Sequence, residues 1–102
     1  MADFVPVAEA SEVPPGTSKV VVVAGNLVAL FNVGGAFYAL SNTCLHRGGP
    51  VGEGELDDEV VTCPLHGWQY DVRSGQNLLN PLARLKRYPV KVEDGRVLVA
   101  PE

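Results

Sequence analysis

Thr43-Cys44-Leu45-His46-Arg47-Gly48-Gly49-Pro50 is answered downstream by Thr62-Cys63-Pro64-Leu65-His66-Gly67-Trp68. Both cysteines and both histidines of the chain fall inside these two stretches. The first is a Cys-x-His half and the second a Cys-x-x-His half, with Arg47 to Thr62 between the ligand pairs. Each half offers one soft thiolate and one borderline imidazole. Glycines and prolines that make tight turns flank both. Cys44, His46, Cys63 and His66 therefore form a ligand set for a metal centre, and the remainder of the chain reads as its frame.

Two metals suit two thiolates and two imidazoles. A structural zinc takes such a set in a tetrahedron, but its familiar spacings put the cysteines in one half and the histidines in the other, commonly on a helix. Here each half is mixed and no helical pattern lies near either. A mixed pair on each side suits a two-iron cluster better, one iron taking both thiolates and the other both imidazoles. With its glycines and prolines, the segment 42–85 resembles the Rieske family. The resemblance implies one Rieske-type [2Fe–2S] cluster bound by Cys44, His46, Cys63 and His66. It also implies an all-β fold, a Rieske-type antiparallel β-sandwich with an inserted cluster-binding subdomain at about residues 42–85.

A chain of 102 residues supports a single domain over residues 1–102 with a modest core. Its net charge of −4 argues against nucleic acid as a partner, since phosphate binding wants a basic surface. No apolar run approaches the roughly 20 residues that span a bilayer, and no basic-then-apolar signal opens the chain. A cytoplasmic, soluble protein is expected, unlike the membrane-tethered Rieske subunits of respiratory complexes.

The frame reads as strands and turns. Phe4–Ala8 is a short first strand, with Pro6 marking an edge, and Glu12–Gly16 turns. Lys19–Val23 is β-branched and precedes the turn pair Gly25-Asn26. Leu27–Val33 returns, Gly34-Gly35 turns again, and Ala36–Leu40 follows. Phe31, Phe37 and Tyr38 are expected in the core. Val51–Leu56 and Glu59–Thr62 read as a hairpin around Asp57-Asp58 that leads to the second ligand pair. Gln69–Val72, a turn at Arg73-Ser74-Gly75 and a loop from Asn77 to Ala83 come next. Lys86–Val92 alternates as one strand, with Tyr88, Val90 and Val92 on a face. Asp94-Gly95 is a hairpin signal, and Arg96–Val99 closes the sheet.

Beside the ligands, Gly48, Gly49, Gly52 and Gly67 form turns and also let backbone N–H groups approach sulfur. Pro64 stiffens the second loop. Pro81 and Leu82 resemble the family's third, proline-containing loop, which shields the cluster from water. Arg47 sits where it meets an acidic partner. Arg73, Arg84, Lys86 and Arg87 read as a solvated face, and the acidic group Glu53, Glu55, Asp57, Asp58 and Glu59 as a solubility feature.

No nucleophile–base set, nucleotide loop or second iron site accompanies the motif. The resemblance therefore points to the small ferredoxin component of bacterial Rieske oxygenase systems, an electron carrier and not an enzyme. Such a ferredoxin is expected to be a monomer passing one electron from a flavin-dependent ferredoxin reductase to a terminal oxygenase. The alternatives are a small Rieske subunit of a larger reductase, such as an assimilatory nitrite reductase, and a zinc-stabilised binding module.

Neutral imidazoles lower the negative charge of the cluster, so the added electron is expected on the iron held by His46 and His66. High-potential respiratory Rieske proteins carry an additional cysteine in each loop, joined as a disulfide, where this chain has Gly49 and Leu65. They also carry a serine that bonds to sulfur where this chain has Trp68, whereas Tyr70 remains to offer a phenol near Cys63. Fewer hydrogen bonds to sulfur stabilise the reduced state less. The midpoint potential should lie in the lower half of the Rieske range of about −150 to +300 mV, and a voltammetric value above about +200 mV would contradict this reading.

Overall fold

The run Val28-Ala29-Leu30-Phe31 has no polar residue to alternate with, and its complete burial explains that composition. The structure, a computed structural model, describes residues 4–43, 50–64, 67–80 and 82–101. Its strands are β1 (Val5–Glu9), β2 (Ser18–Val23), β3 (Asn26–Val33), β4 (Ala36–Ser41), β5 (Glu55–Asp57), β6 (Val60–Thr62), β7 (Gln69–Asp71), β8 (Arg87–Tyr88), β9 (Val90–Glu93) and β10 (Arg96–Val99). Short 3-10 turns occupy Ala10–Glu12 and Val51–Glu53. The strands form three sheets, ordered β1-β10-β9, β2-β3-β4-β8 and β5-β6-β7, with antiparallel pairing throughout.

The central sheet is shared by two cores. Because successive side chains of a strand point to opposite faces, Val28 and Leu30 of β3 pack with Val21, Val23, Ala39, Tyr88, Val97 and Val99. Ala29 and Phe31 face the other way and pack with Leu40, Val51, Val61, Cys63, Tyr70, Val72 and Leu85. The first core binds the β1-β10-β9 sheet, and the second binds the sheet that lies between β4 and β8 in sequence. Phe31 is fully buried, while Phe37 and Tyr38 pack partly buried against one core each. The all-β antiparallel fold expected from the sequence is the fold observed.

Tight turns set the registers. Ala24-Gly25, Gly34-Gly35 and Asp94-Gly95 each have positive φ at both residues, at 50° and 83°, 59° and 99°, and 54° and 75°. This is the mirror-image turn whose twist matches that of paired strands. The first of these turns lies one residue earlier than the sequence suggested: Val23 pairs with Asn26, so Ala24 takes the left-handed position and Asn26 begins β3. Pairing shifted by one residue would turn the β3 side chains to the wrong cores. Similarly, Val51–Glu53 is a 3-10 turn and not strand, and the hairpin bends at Asp58-Glu59, with Asp57 opposite Val60.

The expected single strand over Lys86–Val92 is two strands in two sheets. β8 pairs with β4, and β9 pairs with β10. Pro89 divides them because it has no N–H to donate to a ladder; its carbonyl accepts from Ala100 N–H at 3.0 Å. The proposed common face breaks accordingly, since Tyr88 is buried while Val92 is 47% exposed. Pro6 does fall on an edge strand, and the β1–β10 register shifts between Pro6 and Ala8.

Gly75 joins the turn after β7 to the approach to β8. Its φ is +81°, and an added Cβ would collide with the Leu85 carbonyl oxygen, while Leu85 N–H donates to the Gly75 carbonyl at 2.8 Å. Gly95 has φ +75° with open space around it. Gly95→Ala should cost about 1 kcal/mol from left-handed strain alone. Gly75→Ala, adding a backbone collision, should cost at least about 3 kcal/mol. Urea denaturation of the two variants checks the difference.

Candidate metal centre

The first ligand loop leaves β4 through Asn42 and Thr43. Thr43 and Pro50 form an antiparallel bridge, so the chain departs and returns at one rung. Residues 44–49, with Cys44, His46, Arg47, Gly48 and Gly49, lie outside the described residues, as do Leu65, His66 and Pro81. Of the four expected ligands, Cys63 is the one described, and it is 1% exposed. Among the described residues no group of His, Cys, Asp and Glu side chains gathers to hold a metal ion, as follows when three of the four expected ligands stand outside them.

The second loop is tight. Thr62 at the end of β6 lies opposite Gln69 at the start of β7, and Gln69 Nε2 donates to Thr62 Oγ1 at 3.2 Å. Cys63 N–H donates to the Trp68 carbonyl at 2.7 Å, and Gly67 N–H donates to the Cys63 carbonyl at 3.2 Å. Gly67 has φ +72°, which serves the turn role read for it. Cys63 belongs to the second core with Val51, Val61 and Tyr70, against which Leu56 and Trp68 also pack.

The two loops are rooted side by side. Gly54, on the return leg of the first loop, comes so close to β6 that an added Cβ would strike the Thr62 carbonyl. A cleft of about 530 Å³ beside Cys63 is lined by Glu53, Gly54, Glu55, Thr62, Cys63, Pro64 and Gly67. These residues fit an iron–sulfur cluster. Cys63 opens a narrow loop with the apolar side chains of Val51, Val61 and Tyr70 packed behind it, and the first loop is rooted beside it at Gly54.

Other side chains acquire definite places. Gly52 is not a left-handed turn residue; its Cα faces Val20 and Ala29 so closely that no side chain fits. Arg73 is tied to Glu59 at 3.2 Å and to Asp71 at 3.4 Å, all at the surface. The hydrogen bond that Arg73 donates to Asp71, then the charges of Asp71 and Glu59, raise the Arg73 pKa above its ordinary value. Arg84, Lys86 and Arg87 are exposed as expected, and Lys86 Nζ lies 4.9 Å from the Tyr88 ring centre. Around the third loop, Leu79 and Leu82 are 92% and 95% exposed and Leu78 is 48% exposed.

Asn42 and Asn77, buried at the bases of the first and third loops, were not singled out from the sequence. Asn77 Oδ1 accepts from Leu79 and Asn80 N–H at 2.9 Å each. The available signal was placement: an asparagine immediately before a loop is suited to capping that loop's backbone donors.

The sequence matches the Rieske [2Fe-2S] domain family over residues 3–89, and the chain belongs to that family. It is 38% identical over 92 residues to the ferredoxin component of the naphthalene 1,2-dioxygenase/salicylate 5-hydroxylase systems of Ralstonia sp., covering 89% of this chain and 88% of that one. The fold is similar to the ferredoxin of carbazole 1,9a-dioxygenase from Nocardioides aromaticivorans IC177, with a TM-score of 0.90, 32% identity, and coverage of 97% of this chain and 98% of that one. It is also similar to a chain in the complex of reduced oxygenase and oxidized ferredoxin in carbazole 1,9a-dioxygenase, with a TM-score of 0.89, 37% identity, and coverage of 97% and 94%.

Tyr70 is fully buried in the same core as Cys63. Tyr70→Phe should preserve the fold and the visible spectrum of the cluster. It should lower the midpoint potential by tens of millivolts, since the phenol expected near Cys63 would stabilise the reduced state; voltammetry of the two proteins measures the shift.

Proposed function

We propose that this protein is an electron carrier of a multicomponent oxygenase system, taking one electron at a time from a flavin-dependent ferredoxin reductase and delivering it to a terminal oxygenase. The likeness to ferredoxin components, over nearly the whole chain and at both the sequence and fold levels, carries this reading. Cys44, His46, Cys63 and His66 hold one [2Fe–2S] cluster, which when bound supplies a one-electron couple. Residues 1–102 make one domain, with the cluster-binding subdomain at about 42–85, and the protein works as a monomer in the cytoplasm. Consistent with that location, no helix among the described residues is long and apolar enough to cross a membrane.

The residues of the chain divide the work. Cys63 and its core neighbours present a thiolate against an apolar floor. The tight second loop holds Cys63 in place, and the bridge from Thr43 to Pro50 brings the two ends of the first loop together. The third loop displays Leu79 and Leu82 to solvent, and Leu78 in part. A transient electron-transfer contact needs a small apolar patch with a polar rim, and these leucines supply such a patch for the oxygenase.

The test is reconstitution of the purified, iron-loaded protein with a reductase and oxygenase from one aromatic-ring oxygenase system. Wild-type protein should couple NADH oxidation to substrate oxygenation. Replacing Leu79 and Leu82 together by Ser should slow electron delivery to the oxygenase about tenfold and leave the cluster's spectrum unchanged. A purified native protein containing neither iron nor acid-labile sulfide would remove the proposal.

A further inference from the structure

Asn42 stands at the root of the first ligand loop, and its polar groups face opposite parts of the molecule. Its N–H donates to the Leu27 carbonyl of β3 at 3.0 Å, and its own carbonyl accepts from Val51 N–H at 2.9 Å. Its side-chain Oδ1 accepts from Gly52 N–H at 2.7 Å. The residue that leaves the central sheet is thereby fastened to the two residues at which the loop comes home. Asn42 is 5% exposed, so water does not replace these bonds. Gly52 is pinned from the far side as well, because Ser18 Oγ donates to its carbonyl at 2.8 Å. No side chain would fit on Gly52: an added Cβ would lie 2.6 Å from Val20 Cγ2 and 2.7 Å from Asn42 Oδ1.

Among the described residues the backbone closes this loop at one rung, the bridge between Thr43 and Pro50 with its bond from Val51 N–H to the Asn42 carbonyl. A single rung holds two ends at a distance but fixes their relative twist weakly. The Asn42 side chain adds a second tie one step inward, and it does so through an atom that a leucine of similar size lacks. The geometry points to Asn42 as a positioning residue for the cluster, holding the loop that carries Cys44 and His46 in the shape that receives iron. This rests on the proposal that those two residues are ligands. Groups that orient metal ligands without touching the metal commonly change metal affinity by about 10–100-fold when removed.

Four iron-loaded proteins test it: wild type, Asn42→Leu, Asn42→Asp and Asn32→Leu. Asn32 is a second buried asparagine; its Nδ2 donates to the Val13 carbonyl and its Oδ1 accepts from Gly35 N–H, far in sequence from either ligand loop. Cluster release into excess bathophenanthroline is followed by loss of visible absorbance, and the reduced proteins are compared by EPR. Asn42→Leu should release iron about tenfold faster than wild type and broaden or shift the EPR signal. Asn42→Asp keeps an oxygen facing Gly52 N–H and should restore most of the slow release. Asn32→Leu should lower the melting temperature while leaving both the release rate and the EPR signal near wild type.

Should Asn42→Leu fail to fold, Asn42→Ala, which removes Oδ1 without adding bulk, must give the same fast release. Wild-type behaviour in Asn42→Leu, or equal acceleration in Asn32→Leu, would overturn the inference. A wild-type protein without iron would instead remove the proposal of ligands on which it rests.

Discussion

Strand β3 is buried on both faces, and the molecule depends on that one constraint. Val28 and Leu30 enter the core beneath the β1-β10-β9 sheet, while Ala29 and Phe31 enter the core beneath the sheet that carries Cys63. A strand with two dry faces cannot slide along its partners by one residue without exchanging the two sets. The turns on either side are accordingly short, and both use left-handed residues. Ala24 accepts a conformation that glycine adopts more readily, which indicates how firmly the register is held from both sides. The core that holds Cys63 inherits this rigidity because it packs against the face of β3 that holds Phe31.

Where the ladder stops, asparagine takes over. Buried polar side chains among the described residues are Asn32, Asn42 and Asn77, and each bonds to backbone where a strand gives way to a loop. A buried amide is retained only when its hydrogen bonds are satisfied. An asparagine can serve a stray N–H with its oxygen and a stray carbonyl with its nitrogen, as Asn32 does toward Gly35 and Val13. The loops that begin at Asn42 and Asn77 are thus closed at the base by side chains.

Much of this was legible in the residues. Alternation, β-branched runs and the Gly-Gly and Asp-Gly pairs located the strands of both outer layers. Three features were hidden. The continuous apolar run of β3 does not announce which of its faces meets which core, since burial on both sides erases the period-two pattern. The segment around Tyr88 alternates regularly, yet Pro89 passes the chain from one sheet to another, a choice governed by long-range packing. Gly52 sits in a 3-10 turn, in keeping with its reading as a turn residue, but its smallness is demanded by Val20 and Ala29, neighbours distant in sequence.

The excursion between Gly75 and Leu85 closes on itself. Gln76 bridges to Arg84, Asn77 N–H donates to the Ala83 carbonyl at 2.9 Å, and Leu85 N–H returns to Gly75. With both feet clamped together, the segment between Leu78 and Leu82 can be lengthened or shortened at little energetic expense, because closure entropy grows only by about 0.6 kcal/mol per doubling of loop length. Evolution can therefore trade one recognition surface for another at this rim by insertion or deletion, while the sheets behind it stay as they are.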